Sequence, residues 1–432
     1  MDEIRGFASD ELERAFLVAV QSRGSRPLLS LEDSLQELAR LTTTAGMVVV
    51  GQATQMMNQI DPATFVGSGK LDEIVEQITE TGANVMIFDD ELSPRHQREI
   101  EKRLGENVKV IDRSALILDI FAQHAQTREG ALQVELAQYE YRLPRLTRMW
   151  THLARQGGGK GSSVGVGLRG PGETQLEVDK REIGRRIAKL KEQLEDVRAH
   201  RARHRDKRNR SGIPVIALVG YTNAGKSTLL NALTDSDVYV ADQLFATLDP
   251  TTRRVELPSG RHVLFSDTVG FIQKLPTTLI AAFRATLEEI TEADLLIHVV
   301  DSSHVNVNEQ IESVEDTLAE LDMPDVPRIL VLNKTDALDE LPPIDTDEDY
   351  FARVSLSARR KQGLDTLLTA VDRALALQMR LVKLLVPYDR GDLLSELYER
   401  TKVTAREDTS DGVRITAQIP LDVYDHFKTY ER

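Results

Sequence analysis

The sequence predicts an α/β protein built in four parts. These are a small parallel α/β domain, a long antiparallel helical arm, a second α/β domain organised around a phosphate-binding loop, and a small α+β module at the C-terminus. Three observations predict this. Short apolar runs alternate with helical stretches in two separate regions, the pattern of parallel sheets. Between those regions lie two helical segments whose apolar residues recur in steps of 4, 3, 4 and 3. The second region opens on a buried-strand run followed at once by a glycine-rich G-x-x-x-x-G-K-S.

The 432 residues include 54 basic and 69 acidic side chains, a formal charge of −15. With 41% hydrophobic and 28% charged residues, the composition is that of a soluble globular chain of roughly three domains. Collagen-like and disulfide-stapled scaffolds are excluded, because glycine numbers 26 and cysteine none. Without cysteine there is no thiolate zinc site. Met1–Glu13 is acidic where a signal peptide is basic. The apolar runs Ala15–Val20 and Leu295–Val300 fall far short of the ~18 residues of a membrane span. The expectation is a cytoplasmic monomer with no DNA partner and with no membrane association beyond a peripheral one.

Residues 1–25 read as an extension and 26–125 as the first α/β domain. Within it Gly46–Val50, Val85–Phe88 and Val108–Ile111 read as strands, and Leu71–Thr81 and Pro94–Leu104 as the helices between them. Residues 126–210 form the arm. One seam runs through Leu132, Leu136, Tyr139, Leu143 and Leu146, the other through Ile183, Ile187, Leu190, Leu194 and Val197. Neither seam can stay exposed, so the helices pack antiparallel. Pro144 should kink or break the first helix. Some 25 residues at ~1.5 Å each give an arm about 35–40 Å long.

Between the helices, Gln156–Gly172 carries too many glycines to fold alone. Its literal G-x-G-x-x-G (Gly165 to Gly170) is not a dinucleotide site, since no strand precedes it. With Arg155, Lys160 and Arg169 it is either a connector or a cationic tip able to approach RNA phosphates. Lys180–Arg210 holds 13 Lys/Arg against 5 Asp/Glu, either a solvated helix face or a nucleic-acid contact. Residues 211–378 form the second α/β domain. Residues 379–432 read as strand (Val382–Val386), helix (Asp392–Lys402), two strands (the second Val413–Ile419) and a helix.

The chemistry sits in the second domain. Gly220-Tyr221-Thr222-Asn223-Ala224-Gly225-Lys226-Ser227 follows the strand Val215–Val219 and opens a helix over Ser227–Leu233. A chain of this length should show roughly 0.02 chance matches to that pattern. Backbone N–H groups at the helix start cradle phosphate oxygens. Lys226 then reaches the β/γ-phosphates, Ser227 ligates Mg²⁺, and Thr228 continues the loop into the helix. Asp267-Thr268-Val269-Gly270 ends the strand His262–Ser266, so Asp267 can hold Mg²⁺ through water and the Gly270 N–H can sense the γ-phosphate. Asn333-Lys334-Thr335-Asp336 follows the strand Arg328–Leu332. N-K-x-D reads guanine: the Asp carboxylate accepts from N1 and N2, a donor pair adenine lacks. Ser357-Ala358 is the expected loop whose backbone reads guanine O6. In Phe245-Ala246-Thr247-Leu248-Asp249, Thr247 is the chosen switch threonine for Mg²⁺, with Thr251 and Thr252 as alternatives. Taken in order, these motifs are those of a P-loop GTPase, with Lys226, Thr247 and Gly270 as its catalytic groups. Asn223 reads either as a residue filling a tight turn or as a K⁺ ligand like the Asn of potassium-activated P-loop GTPases.

The segments Arg128–Gln138 (REGALQVELAQ), Gly170–Glu177 (GPGETQLE) and Gly220–Leu229 (GYTNAGKSTL) resemble the HflX family of translational GTPases, and the resemblance extends from about residue 25 to the C-terminus. It implies GTP/GDP binding, a partnership with the large ribosomal subunit that stimulates hydrolysis, rRNA contacts by the N-terminal domain and arm, and a role in splitting or rescuing stalled ribosomes, notably in heat stress. ATP hydrolysis has been proposed for the N-terminal region of that family, but Gly67-Ser68-Gly69-Lys70 is only a fragment of a phosphate loop. Ras-like enzymes carry a water-orienting Gln after D-x-x-G. This chain has Phe271, an apolar residue there being usual in the family it resembles.

Overall fold

The computed structural model describes residues 12–25, 27–156, 171–210, 213–234, 244–245, 247–248, 250–274, 290–320, 326–346, 349–377, 379–420, 424 and 426–431. Two compact units share the chain. The first comprises residues up to Leu194 with the described parts of 241–248 and 272–284, and the second comprises the rest.

In the first unit β1 (Arg14–Ser22), α1 (Leu31–Thr44), β2 (Val48–Met57), α2 (Ser68–Thr81), β3 (Val85–Phe88), α3 (Pro94–Leu104), β4 (Lys109–Asp112) and α4 (Arg113–His124) alternate. The strands form a parallel sheet in the order β2-β1-β3-β4. The sequence reading has no strand before Gly46, yet β1 is an inner strand with Ala15–Val20 buried throughout. A strand covered on both faces shows no alternation, so its six apolar residues give no period to read. Helix starts follow local chemistry: Ser30 caps α1, Ser93 caps α3 ahead of Pro94, and Asp112 caps α4.

A buried ionic centre joins these elements. Arg113, 2% exposed, donates to Asp89 at 2.8 Å and pairs with Glu37. Asp89 also accepts from Ser34 and from Lys274, each at 2.6 Å. Burial pushes the Asp89 carboxyl up, but the Arg113 and Lys274 cations outweigh it, and the group lies below the ordinary range.

The arm is α5 (Arg128–Gln156) and α6 (Pro171–Arg210), the latter passing from one unit to the other at Leu194. Leu136, Leu190 and Leu194 form a buried cluster with Leu132, Tyr139 and Ile187 against it, so the two seams close on each other. α5 runs through Pro144 without the break that was one of the two outcomes expected there. Tertiary bonds hold the helix on both sides of it. Tyr141 donates to Asp112 at 2.8 Å, and Arg145 bonds the Leu92 carbonyl at 2.7 Å and stacks 3.5 Å from the Tyr141 ring centre. Lys160 and Arg169 lie outside the described residues, as does the Arg155 side chain.

The second unit holds β5 (Val215–Val219), α7 (Lys226–Thr234), β6 (Thr251–Glu256), β7 (His262–Asp267), β8 (Leu295–Asp301), α8 (Val307–Glu320), β9 (Arg328–Asn333), β10 (Ala352–Ser355) and α9 (Leu364–Leu377). Its sheet has the order β10-β9-β8-β5-β7-β6, parallel except for β6. Then β11 (Met379–Val386), α10 (Gly391–Arg400), β12 (Lys402–Thr409) and β13 (Gly412–Pro420) build an antiparallel sheet, β11-β13-β12. The helix expected over Asp392–Lys402 stops at Arg400, because Lys402 pairs with Gln418 as the first residue of β12. Among the described residues no helix is long and apolar enough to cross a membrane.

Candidate active site

The motifs of the second domain lie at the carboxyl ends of β5, β7, β8 and β9, where ligand crevices form in open α/β sheets. β5 leads into the loop 220–225 and α7 leaves it. Gly225 has φ +94°, and a Cβ there would come 2.3 Å from Asn333 Nδ2, so only glycine fits. Asn223 is also left-handed, φ +60°, a conformation Asn tolerates and one that suits the tight-turn reading.

Lys226 is 6% exposed and turns back on its own loop, donating to the carbonyls of Gly220 at 3.0 Å and Tyr221 at 2.9 Å. Burial pushes its ammonium down to about 8, with Asp267 pulling the other way. Ser227 Oγ donates to Asp267 Oδ2 at 2.6 Å. Thr268 donates to the Leu218 carbonyl at 2.6 Å, which seats the 267–270 turn against β5. Beyond that turn the two loops zip together: Phe271 N–H donates to Gly220 O at 3.1 Å and Thr222 N–H to Phe271 O at 2.8 Å. Gly270 lies deep in this contact. A Cβ on it would meet Thr222 Cα at 2.9 Å and Lys226 Nζ at 3.1 Å.

Asn333, 2% exposed, ties three loops. Its Nδ2 donates to Ala224 O at 2.9 Å, and its Oδ1 accepts from Ala358 N–H at 3.0 Å. Lys334 is left-handed, φ +63°, and pairs with Asp301 at 2.7 Å. Asp336 Oδ1 accepts from Ser357 Oγ at 2.6 Å, and that bond, followed by weaker help from Arg360 and Arg359, holds its carboxyl below the usual range. Thr335 opens a short 3₁₀ turn, Thr335–Ala337, behind it.

The structure therefore brings 220–228, 267–271, 333–336 and 357–358 together in one unit. Phe245, Thr247 and Leu248 belong to the other unit, and Ala246 and Asp249 lie outside the described residues. Thr251 and Thr252, the alternatives to Thr247, are paired strand residues of β6 opposite Asp267 and Ser266. Sequence reasoning missed Asp301 and Ser302. Ser302 donates through both N–H and Oγ to the Asn333 carbonyl, at 3.1 and 2.5 Å. Their one signal was an acidic residue ending the apolar run Leu295–Val300. Among the described residues no group of three or more His, Asp or Glu is placed to hold a metal alone.

Four family models match most of the chain between residues 32 and 423. Residues 32–122 match the family model described as GTP-binding GTPase N-terminal, 124–208 the GTP-binding GTPase middle region, 215–334 the 50S ribosome-binding GTPase, and 347–423 the HflX C-terminal domain. The chain is 45% identical over 418 residues to the GTPase HflX of Caldanaerobacter subterraneus subsp. tengcongensis, covering 97% of this chain and 94% of that protein. It is 44% identical to the GTPase HflX of Escherichia coli K12, covering 96% and 95%. A solved GTP-binding protein from Sulfolobus solfataricus in complex with GDP aligns over 84% of this chain and 98% of its own, with 24% identity and a TM-score of 0.43.

Proposed function

The chain belongs to the HflX family of GTPases, and on that premise we propose that it binds the large ribosomal subunit and couples GTP hydrolysis to the splitting or rescue of stalled ribosomes. The observation that carries the nucleotide part is the convergence of three loops on Asn333. That convergence supports a reading in which the phosphate loop, a carboxylate suited to guanine N1 and N2, and the Ala358 backbone surround one crevice. The match of residues 215–334 to 50S ribosome-binding GTPases supports the ribosomal part.

In this reading the backbone amides that follow Thr222 in the phosphate loop, 223–228, hold the phosphates. Lys226 leaves its own carbonyls for the β/γ-phosphates, Gly270 N–H meets the γ-phosphate, and Asp336 reads the base. Ser227 Oγ and Asp267, hard oxygen donors already 2.6 Å apart, fit Mg²⁺. When bound, that ion neutralises charge building between the β- and γ-phosphates. Phe271 offers no hydrogen bond to the attacking water. The isolated chain therefore turns over well below about 1 s⁻¹, and the ribosome supplies what is missing. Sedimentation of 70S ribosomes with the protein and GTP, against a non-hydrolysable analogue, tests the proposal. Free subunits are expected. Intact 70S, with the protein riding only on free large subunits, would make it an assembly or anti-association factor instead.

A further inference from the structure

One hydroxyl in the phosphate loop is buried with no hydrogen-bond partner among the described residues. It is Oγ1 of Thr222, a residue 6% exposed. Other hydroxyls around the crevice are engaged: Ser227 with Asp267, Thr268 with Leu218 O and Ser357 with Asp336, each at 2.6 Å. The Thr222 backbone is already spent, since its N–H donates to Phe271 O at 2.8 Å. A buried hydroxyl left unpaired costs about 1–3 kcal/mol, and such groups in native proteins have an explanation.

The position of Thr222 indicates the partner. Its Cα and Cγ2 lie 2.9 and 3.0 Å from where a Cβ on Gly270 would stand, and Lys226 Nζ lies 3.1 Å from the same point. The loop ammonium, the turn glycine and the Cα and methyl of this threonine thus meet at one spot, and a turn of about 120° about Cα–Cβ, to the next staggered rotamer, puts the hydroxyl where the methyl stands. Under the nucleotide reading above, on which this inference rests, that spot is flanked by the two groups assigned to the γ-phosphate. We propose that Thr222 is a further catalytic residue, whose hydroxyl donates a hydrogen bond to a γ-phosphate oxygen of GTP and fixes the transferring group for attack by water.

A further donor at this point suits the chemistry. Attack of water on the γ-phosphorus gives GDP and phosphate, and the water proton leaves with the phosphate. Thr222 forms no covalent bond and keeps its proton. Its contribution is orientation and electrostatics at the γ-phosphate, beside Lys226 and the Gly270 N–H; it does not replace the water-orienting amide whose place Phe271 takes. GDP lacks the γ-phosphate and cannot make this bond. That asymmetry sets the contribution apart from ordinary loop packing.

The test compares Thr222→Val, which keeps the branched shape and loses the hydroxyl, with Thr222→Ser, which keeps the hydroxyl. GDP affinity is measured by calorimetry and GTP hydrolysis by single turnover, with Mg²⁺ present. Thr222→Val should bind GDP within about twofold of wild type and hydrolyse bound GTP at least about tenfold more slowly, a modest share of the ~100–1,000-fold seen for a lost oxyanion donor. Thr222→Ser should recover most of the rate. Hydrolysis at the wild-type rate in Thr222→Val overturns the proposal. So does a parallel loss of GDP affinity, which would make the residue a packing element. Wild-type protein that binds no GDP at all would instead remove the nucleotide reading, and this assignment with it.

Discussion

Asn333→Ala removes one small side chain and should loosen the whole nucleotide crevice. The amide spans two buried backbone groups, Ala224 O at 2.9 Å and Ala358 N–H at 3.0 Å, on residues 0% and 3% exposed. Truncation leaves an acceptor and a donor stranded, each costing about 1–3 kcal/mol. Neither neighbour has a side chain that could replace the amide. Allowing for partial relaxation, the crevice should lose about 3 kcal/mol, which is roughly a hundredfold in affinity at ~1.4 kcal/mol per decade. Because the tie lies under the base and the loop rather than at the γ-phosphate, GTP and GDP should weaken together. Calorimetric titration of wild type and variant with both nucleotides measures this, and amide exchange at Ala358 and residues 224–226 reports the local loosening. A GDP dissociation constant within threefold of wild type, with unchanged exchange, would show that these bonds do not hold the loops.

Three shorter predictions address the base, the pH dependence and the cation. Asp336→Asn should weaken GTP by at least about tenfold and gain xanthosine triphosphate, since an amide donor replaces the acceptor; competition binding with the two nucleotides decides. Lys226 in the empty protein sits near 8, below its ordinary 10.5. The unfolded chain then holds the extra proton between those values, so the empty protein gains stability as pH rises from about 8 towards 10.5. Phosphates favour the charged ammonium, so GDP binding near pH 9 should take up close to one proton and weaken with rising pH. Calorimetry in two buffers of different ionisation heat reads the uptake, and zero uptake refutes it. If Asn223 serves K⁺, hydrolysis should run faster in K⁺ than in Na⁺, and equal rates would leave it a turn residue.

Much of the architecture was legible because its signals are local. The loop 220–227 between an apolar strand and a helix, the 4, 3, 4, 3 seams of α5 and α6, and Pro94 at the start of α3 each declare themselves within a few residues. Elements whose evidence is distant were missed. β1 looks like any short apolar run until β2 and β3 flank it. Pro144 reads as a break until the Asp112 and Leu92 contacts around it are seen. Asp301 and Ser302 carry no motif, and their role exists only because β8 and β9 end side by side.

Residue type and spacing alone determined the α/β class, the phosphate loop and the acid at Asp336 that suits guanine. These follow from short-range sterics and hydrogen-bonding capacity. Folding alone decided the rest. It set the order of the strands, turned Lys226 onto its own carbonyls, hung three loops on the Asn333 amide and left the Thr222 hydroxyl buried without a bond. The strand order and the Asn333 tie depend on which groups meet across distant stretches of chain, 109 residues apart for Asn333 and Ala224, and the buried Lys226 and Thr222 depend on water being kept from them; no pattern of neighbours along a sequence encodes that.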